Sequence, residues 1–355
     1  MSDDLKQFRA RIDALDQEIL KLVSERASAA HAIGKLKDDG TVYRPEREAQ
    51  VLRKLSDANS GPLPDKAVMH LFTEIISACR ALEDAFSVAS LGPKGTFSEE
   101  AVVKHFGGQT PVMLCTSIDE VFRSVESGNA GYGVVPMENS TEGAIGRTLD
   151  LLLSTPLKIC GEVLLPVHQN LLSKGNDIAG VRRVFSHAQS LAQCNRWLAQ
   201  NCPRAERVPV ASNAEAARLA QDEAGSAAIA GRSAAAQYGL PVLAENIEDE
   251  PNNTTRFVVI SRQEVPPSGN DKTSLVMSTR NVPGAIHELL TPLAANRVSM
   301  TRLESRPSRT GLWEYVFFLD MEGHQSEGHV ARALEEMREL AAFLKILGSY
   351  PVAVQ

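Results

Sequence analysis

Residues 9–37, RARIDALDQEILKLVSERASAAHAIGKLK, place apolar side chains at steps of three and four. That spacing predicts one long helix, from about Asp4 to about Lys37, with a heptad-like seam along one side. At about 1.5 Å per residue this helix is about 50 Å long, more than the first 86 residues can cover. We therefore predict an intertwined helical dimer, with a seam formed by Phe8, Ile12, Leu15, Ile19, Leu22, Ala29, Ile33 and Leu36.

One position of this seam is charged. Arg26 lies on it, and Lys37 follows about three turns later on the same face. A buried guanidinium without a partner is costly, so an anion has to meet it. A protein carboxylate, Glu48 or Glu83, is one candidate. A small dianionic ligand is the other, and the seven Lys or Arg against four Asp or Glu in residues 26–54 favour it.

The same stretch, together with VYRPEREAQVL at residues 42–52, resembles the all-helical chorismate mutases over residues 5–86. The resemblance implies a Claisen rearrangement of chorismate to prephenate, without a cofactor, in a site shared by two chains. Holding the reactive conformer and stabilising charge on the breaking ether oxygen is sufficient for such a reaction. The chorismate-binding residues implied are Arg9 from the partner chain, with Arg26, Lys37, Arg44, Arg47, Glu48, Cys79 and Glu83.

Two of these residues have implied catalytic roles. Lys37 donates to the ether oxygen from one side, and Glu83 occupies the position of the second donor. A carboxyl group donates only when it is protonated, so Glu83 has to be shielded from water. The alternative for Glu83 is an exposed acid at a helix end. Arg44 and Cys79 depart from the acid and the small polar residue that the family usually has.

Composition excludes several classes of protein. The 355 residues are 43% hydrophobic and 23% charged, and the net charge of −7 argues against a nucleic-acid partner. Five scattered cysteines without a CxxC pair exclude a disulfide scaffold and a zinc finger. No run reaches the ~18 apolar residues of a membrane span, and the polar N-terminus does not resemble a signal peptide. We expect a cytoplasmic protein with no metal and no cofactor.

The chain divides into a helical domain (residues 1–86), an α/β domain (87–263), a Pro/Gly linker (264–272) and an α+β domain (273–355). The last domain follows the strand–helix–strand–strand–helix–strand order of ferredoxin-like folds. The α/β domain alternates short β-branched runs with alanine-rich stretches, which predicts a mainly parallel sheet. Its predicted strands are Val88–Leu91, Val112–Cys115, Tyr132–Val135, Ile159–Leu165, Val184–Ser186, Ala227–Ala230 and Phe257–Ser261.

Polar residues recur in the α/β domain where a strand passes into a helix. In SVASLGPKGTFSEEAV (87–102), Thr96 and Glu99 form a capping box, and free N–H groups at such a turn suit an anion. Several helix starts at strand ends favour a cleft for a carboxylate-bearing ligand. The other three turns are GVVPMENSTEGAIGRTLDLL (133–152), FSHAQSLAQC (185–194) and VASNAEAARLA (210–220).

A hydrolase is an unfavoured alternative for this cleft. Ser186 and His187 are adjacent, so in a strand they point to opposite faces, and the chain has no GxSxG elbow. Instead GPKGTFSE, VPMENSTEG, SHAQSLAQC and NNTTRF, in this order, resemble prephenate dehydratase over about residues 88–262. The resemblance implies a two-lobed fold, like that of type-2 periplasmic binding proteins, with prephenate between the lobes.

The same resemblance implies residue roles. Thr255 is the family's essential threonine and assists the departing ring hydroxyl while CO2 leaves, which gives phenylpyruvate. Arg256 and the helix N-termini hold carboxylate. Asn213 stands where a threonine is more usual. The prephenate-binding residues implied are Glu138, Asn139, Ser140, Thr141, Ser186, His187, Gln189, Ser212, Thr254, Arg256 and Phe257.

The C-terminal domain resembles an ACT domain of the dehydratase type. NVPGAIH at residues 281–287 turns a strand into a helix, and ESRP at residues 304–307 ends the next strand. The resemblance implies an L-phenylalanine site between paired ACT domains, and hence allosteric feedback. The alternative is a purely structural dimerisation module. The implied ligand residues are Asn281, Pro283, Gly284, Ala285, Ile286, Glu304, Ser305, Arg306 and Pro307.

The order mutase, dehydratase, regulator resembles that of the bifunctional chorismate mutase–prephenate dehydratases, the P-protein family. The resemblance implies chorismate and prephenate as substrates, inhibition by L-phenylalanine, and an even-numbered homo-oligomer. A non-catalytic amino-acid sensor is the main alternative. A mutase–dehydrogenase would need a dinucleotide-binding fingerprint, and the sequence has none.

Overall fold

The computed structural model describes residues 3–36, 42–83, 86–280, 282–307 and 315–354. The first domain contains the helices α1 (Asp3–Leu36), α2 (Pro45–Ala58) and α3 (Asp65–Arg80). Every residue of α1 is exposed or half-buried; Phe8 is 67% exposed and Ile19 is 56% exposed. The predicted long helix is confirmed, although Lys37 lies outside the described residues. In the single chain its apolar seam faces outward.

The first lobe of the α/β domain is a six-stranded sheet with three helices. Its strands are β1 (Val88–Leu91), β2 (Val112–Cys115), β3 (Tyr132–Asn139), β4 (Gly143–Ala144), β5 (Lys158–Pro166) and, returning late in the chain, β11 (Thr254–Ser261). The strand order is β2-β1-β3-β11-β5, with β4 on β3. Its helices are α4 (Phe97–Phe106), α5 (Ile118–Glu126) and α6 (Gly146–Ser154).

The second lobe is a five-stranded sheet in the order β10-β6-β9-β7-β8. Its strands are β6 (Asn170–Leu172), β7 (Arg183–His187), β8 (Glu206–Val210), β9 (Ser226–Ala230) and β10 (Val242–Ala244). A 3-10 turn at Ile178–Gly180 precedes β7, and the helices are α7 (Ala188–Gln193), α8 (Asn195–Asn201), α9 (Asn213–Asp222) and α10 (Arg232–Tyr238).

The prediction of a mainly parallel sheet was wrong. β1 is parallel to β2 and β3, and β7 is parallel to β8 and β9, but β11 is antiparallel to β3 and β5, and β6 to β9 and β10. β5 carries the chain out of the first lobe and β11 brings it back beside β5. The two strands therefore run in opposite directions, which composition alone does not reveal.

The third domain is the predicted ferredoxin-like sheet, in the order β13-β14-β12-β15 with antiparallel neighbours. Its first strand begins at Asp271, two residues earlier than the sequence suggested. The elements are β12 (Asp271–Ser278), α11 (Ala285–Ala295), β13 (Met300–Pro307), β14 (Tyr315–Glu322), α12 (Gly328–Leu340) and β15 (Phe343–Pro351).

The sheet of the first lobe anchors both neighbouring domains, one on each face. Phe257 and Tyr132 pack with Tyr43 of the helical domain, whereas Val258 packs with Phe318 and Tyr350 of the third domain. Alternation along β11 explains this, because residues 257 and 258 point to opposite faces. Strand β11 is therefore the structural centre of the α/β domain.

Candidate active sites

A threonine and an asparagine lie opposite each other where β11 pairs with β3. Thr255 is the register partner of Asn139. Asn139 Nδ2 donates to Thr255 Oγ1 over 2.8 Å and to Asn253 Oδ1 over 2.7 Å, while Asn139 Oδ1 accepts from the backbone N–H of Thr141 over 3.0 Å. Thr255 Oγ1 is the acceptor in its contact, so its O–H is left to donate. Among the described residues none accepts it.

Gln193, at the end of α7, joins the two lobes beside this pair. Its Nε2 donates to Thr141 Oγ1 over 3.2 Å, and its Oε1 accepts from Asn253 Nδ2 over 3.2 Å. Gln193 was not predicted as a site residue. Its place in the motif SHAQSLAQC, six residues after His187, is the feature of the sequence that could have identified it.

The facing wall in the second lobe is organised by Asn213. Its Oδ1 accepts from Ser186 Oγ over 2.9 Å and from the backbone N–H of His187 over 3.1 Å, and its Nδ2 donates to Ser190 Oγ over 2.9 Å. Ser186 also donates to the Ile229 carbonyl and is fully buried, so it supports the wall from behind. Asn213 thus has a positioning role that the sequence did not reveal.

The ends of α7 and α9 present the remaining polar residues of this wall. His187 caps α7, its Nδ1 accepting from the backbone N–H of Gln189 over 3.4 Å. Ser212 caps α9, its Oγ accepting from the backbone N–H of Glu215 over 3.0 Å. His187 is exposed and Gln189 is half-buried, so both side chains can face a ligand.

Arg256 does not belong to this cleft, which corrects the expectation that it holds a substrate carboxylate. Its Nε donates to Glu162 over 2.8 Å, and its Nη1 to Glu138 over 3.0 Å and to Asp320 over 2.6 Å. Burial disfavours its charge, but Tyr350, Asp320 and Glu162 outweigh this and raise the pKa of Arg256. Because it follows Thr255 in a strand, its side chain points to the other face.

Glu138 and Phe257 are corrected for related reasons. Glu138 pairs with Arg256 and also with Arg302 of the third domain, at 2.5 Å, so its carboxylate is engaged away from the cleft. Phe257 is 2% exposed within the core beside Tyr43. We withdraw both from the prephenate site.

Ser140 and Thr254 hold the rim of the cleft through the backbone. Ser140 Oγ accepts from the backbone N–H of Thr254 over 2.9 Å, and the backbone N–H of Ser140 donates to the Thr254 carbonyl, also over 2.9 Å. These bonds keep the loop after β3 next to the start of β11.

In the helical domain, Arg26 meets a thiol rather than a carboxylate. Its Nη1 donates to Cys79 Sγ over 3.1 Å. Glu48 is bound instead by Arg80, with Nη1 2.5 Å from Oε1. Burial raises the pKa of Glu48, although Arg80 and Arg26 act in the opposite direction. Arg80, packed against three aromatic rings, is a residue that the sequence analysis missed.

Glu83 lies against α1 beside this cluster. A Cβ on Gly34 would come within 2.9 Å of Glu83 Cγ, so the glycine makes the close approach possible. Arg26, Glu48 and Cys79, one from each helix, form the cluster, and Glu83 follows four residues after Cys79, beyond the end of α3.

The other cations of the predicted mutase site are placed less closely. Arg9 and Arg47 are exposed, Arg44 is half-buried at the start of α2, and Lys37 lies outside the described residues. Arg9 is about 25 Å from Arg26 along α1, at about 1.5 Å per residue. One chain cannot bring both to one small ligand.

In the third domain, Gly284 has φ 86° and begins α11, a conformation that glycine adopts without strain. Asn281 lies outside the described residues. Pro283 precedes Gly284, and Ala285 and Ile286 are the first two residues of α11. β13 is an edge strand of the sheet, and it contains Glu304, Ser305 and Pro307. Arg306 is a correction, because its Nη2 binds Asp150 of the first lobe over 3.2 Å.

Comparison with known proteins accounts for all three domains. Family models match chorismate mutase type II at residues 8–84, prephenate dehydratase at 88–265 and the ACT domain at 273–339. A bifunctional chorismate mutase/prephenate dehydratase of Neisseria gonorrhoeae is 55% identical over 98% of this chain and 96% of its own. The chain belongs to the bifunctional chorismate mutase/prephenate dehydratase family. It is an enzyme with both activities, as the sequence predicted.

Two further relatives agree with this family assignment. The bifunctional enzyme of Stutzerimonas stutzeri is 50% identical over 99% of both chains. A crystal structure of prephenate dehydratase from Arthrobacter aurescens, in complex with L-Phe, is 34% identical over 75% of this chain and 89% of its own, with a TM-score of 0.69. The three-domain fold is confirmed. The chain is an enzyme, so the alternative of a non-catalytic amino-acid sensor was wrong.

Within the described part of the chain, no helix has the length and apolar character needed to cross a membrane. The His, Cys, Asp and Glu side chains of these residues form no group of three that could hold a metal ion.

Proposed function

We propose that Thr255 is the proton donor of the dehydration step and that Asn139 positions it. The observation that carries this proposal is the 2.8 Å hydrogen bond from Asn139 Nδ2 to Thr255 Oγ1. The bond aims the threonine O–H away from Asn139. It also places an N–H where negative charge develops on the threonine oxygen as the proton leaves.

The reaction then proceeds in one concerted step. The bond from the ring to its carboxylate breaks and releases CO2, the electron pair enters the ring, and the ring–hydroxyl bond breaks. Thr255 gives its proton to the departing hydroxyl, which leaves as water, and regains a proton from solvent. Threonine is a weak acid, so transfer has to be coupled to the aromatisation that drives the reaction.

The prephenate carboxylates are held, in this proposal, by the opposite wall of the cleft. The support is that α7 and α9 both begin at this wall, where free backbone N–H groups favour an anion. The residues assigned to the prephenate site are Asn139, Ser140, Thr141, Ser186, His187, Gln189, Ser212 and Thr254, with Gln193 and Asn213 added.

Substitution of Thr255 tests the assignment. Thr255→Ala is expected to lower the rate of phenylpyruvate formation about 10³-fold, because the donor is lost, and to leave the rate of chorismate consumption unchanged. Thr255→Ser keeps the hydroxyl and is the matched control, with most of the rate retained. Substantial dehydratase turnover by Thr255→Ala would refute the role of Thr255.

The mutase site is proposed to form between two copies of the chain. The outward-facing seam of α1 supports pairing, and the separation of Arg9 from Arg26 along α1 places them in one site only if Arg9 comes from a second copy. Lys37 and Glu83 then donate to the ether oxygen of chorismate. The remaining ligands are Arg44, Arg47, Glu48 and Cys79.

L-phenylalanine is proposed as a feedback inhibitor bound between paired third domains. The L-Phe complex of the Arthrobacter enzyme and the exposed edge strand β13 support this. The ligand residues are Asn281, Pro283, Gly284, Ala285, Ile286, Glu304, Ser305 and Pro307. A homodimer or larger even oligomer, working in the cytoplasm, completes the proposal.

A further inference from the structure

Six charged side chains meet where the third domain packs on the first lobe. Arg256, Glu138 and Glu162 come from the lobe, and Lys272, Arg302 and Asp320 from the third domain. We call them the interdomain ion cluster. Its three cations and three anions balance, and the side chains of Arg256, Glu162 and Asp320 are 6%, 1% and 2% exposed. A buried network of this kind is weak evidence for stability, so stability alone does not account for the cluster.

The proposed catalytic pair and two residues of the cluster lie on adjacent rungs of the sheet. Thr255 faces Asn139 across β11 and β3, and the next rung pairs Arg256 with Glu138. One face of these rungs carries the 2.8 Å contact of the threonine, and the other carries the 3.0 Å ion pair. A shift of Arg256 or Glu138 therefore moves the backbone that positions Thr255.

The other end of the cluster lies in the sheet that carries the proposed L-phenylalanine residues. Asp320 of β14 is the register partner of Arg302 on β13. Arg302 lies two residues before Glu304. A movement of β13 on ligand binding would therefore move Arg302. Because Arg302 contacts Glu138, which directly precedes Asn139, the movement would reach the proposed catalytic pair.

Arg302 is incompletely satisfied in this arrangement. Its Nε binds Glu138, but its Nη1 and Nη2 are buried and have no hydrogen-bond partner among the described residues. Unpaired buried donors of a charged group are costly. A displacement of β13 that gave these nitrogens partners would relieve the cost, which favours a second arrangement of the cluster.

We propose that Arg256 and Glu138 are positioning residues for Thr255, and that the interdomain ion cluster transmits L-phenylalanine binding to the dehydratase site. The proposal rests on the function proposed above for Thr255 and for the third domain. It requires two arrangements of the cluster with different dehydratase rates, and a ligand that favours one of them.

Arg302→Gln separates transmission from binding. Inhibition of dehydration by L-phenylalanine is expected to weaken about 5-fold or more, while the affinity for L-phenylalanine, measured by calorimetry on the full chain, stays within about threefold. Lys345→Gln is the matched control. Lys345 Nζ also joins the third domain to the first lobe, at the carbonyls of Leu152, Leu153 and Thr155, but is outside the cluster. This control should be inhibited like the unaltered enzyme.

Glu138→Gln tests the positioning role from the first lobe, at the carboxylate that contacts both Arg256 and Arg302. The dehydratase kcat is expected to fall about 10-fold with KM changed less than about twofold, because alignment rather than binding is lost. The mutase rate, which should be unchanged, reports that the variant is folded.

Three outcomes would overturn the proposal: full inhibition of Arg302→Gln by bound L-phenylalanine, loss of L-phenylalanine binding itself in that variant, or an unchanged kcat in Glu138→Gln. An unaltered enzyme that L-phenylalanine does not inhibit also overturns transmission. None of these results affects the role of Thr255, which the Thr255→Ala comparison decides separately.

Discussion

The helical domain and the α/β domain solve the same problem, holding a small dianion, in opposite ways. In the α/β domain the proposed donor Thr255, its hydrogen-bond partner Asn139 and the facing wall around Asn213 all come from one chain. In the helical domain α1 leaves its apolar seam outside, and the cations of the proposed site are spread along it. We propose that the first site is formed within one chain, whereas the second needs a second copy of the chain.

The largest expected effect tests whether the mutase site is shared. Arg26→Ala and Arg9→Ala should each lower mutase turnover about 10³-fold, because each removes charge stabilisation from the site, and leave dehydration unchanged. Mixing and re-associating the two variants should restore activity, since a mixed dimer has one intact site. Statistical mixing predicts about a quarter of the original sites.

The control for that experiment is either variant mixed with itself, which should recover nothing. Failure of the mixed sample to recover, with dimers present by ultracentrifugation, would show that Arg9 and Arg26 serve one chain.

A second, intermediate effect concerns the packing of the third domain on the first lobe of the α/β domain. Gly348 of β15 packs so closely on β5 that a Cβ there would collide with the Ile159 carbonyl. Gly348→Ala is expected to lower the free energy of unfolding by about 3 kcal/mol, as overpacking does. Gly180→Ala, where nothing lies within 4 Å, is the control and should change it by about 0.5 kcal/mol at most. Equal chemical-denaturation midpoints for the two variants would contradict this packing.

Near neutral pH, the smallest effect is expected at the junction between the two regions. His105 Nε2, on α4, is hydrogen-bonded to the Tyr43 hydroxyl at 2.6 Å, and burial, aided by Arg80, lowers the pKa of His105 to about 3. The unfolded chain takes up this proton near pH 6.5 and the folded chain does not. His105 therefore makes stability fall as pH drops from about 6.5 towards 3, by up to about 1.4 kcal/mol per unit.

His105→Gln should remove that contribution, so its stability should depend less steeply on pH over this range than that of the unaltered protein. His187→Gln, which alters an exposed histidine, is the control. Parallel pH profiles of urea unfolding for the unaltered protein and His105→Gln would be inconsistent with a buried neutral imidazole.

Much of the molecule was predictable because its signals are local. The seam of α1, the caps at Thr96 and Ser212, and the order of elements in the third domain depend on residues close in sequence, and all are present. Thr255 and Asn139 were both identified from motifs, but their contact depends on β11 returning beside β3 after more than 100 residues.

The errors share a different cause. Arg256 was assigned to a ligand from the family resemblance, although strand alternation already directs adjacent side chains to opposite faces. No local pattern showed that the third domain packs on that face, where Asp320 and Tyr350 accept hydrogen bonds from Arg256. Arg306 was misassigned in the same way, since its partner Asp150 is in another domain.

The sequence by itself determined the three domains, the family and the chemical type of each site, because periodicity, capping and motif spacing act over a few turns of chain. Only the tertiary structure decided which polar side chains face a ligand and which face another domain. A charged side chain is equally compatible with either partner in sequence, and its choice depends on which carboxylates the completed fold brings within hydrogen-bonding distance.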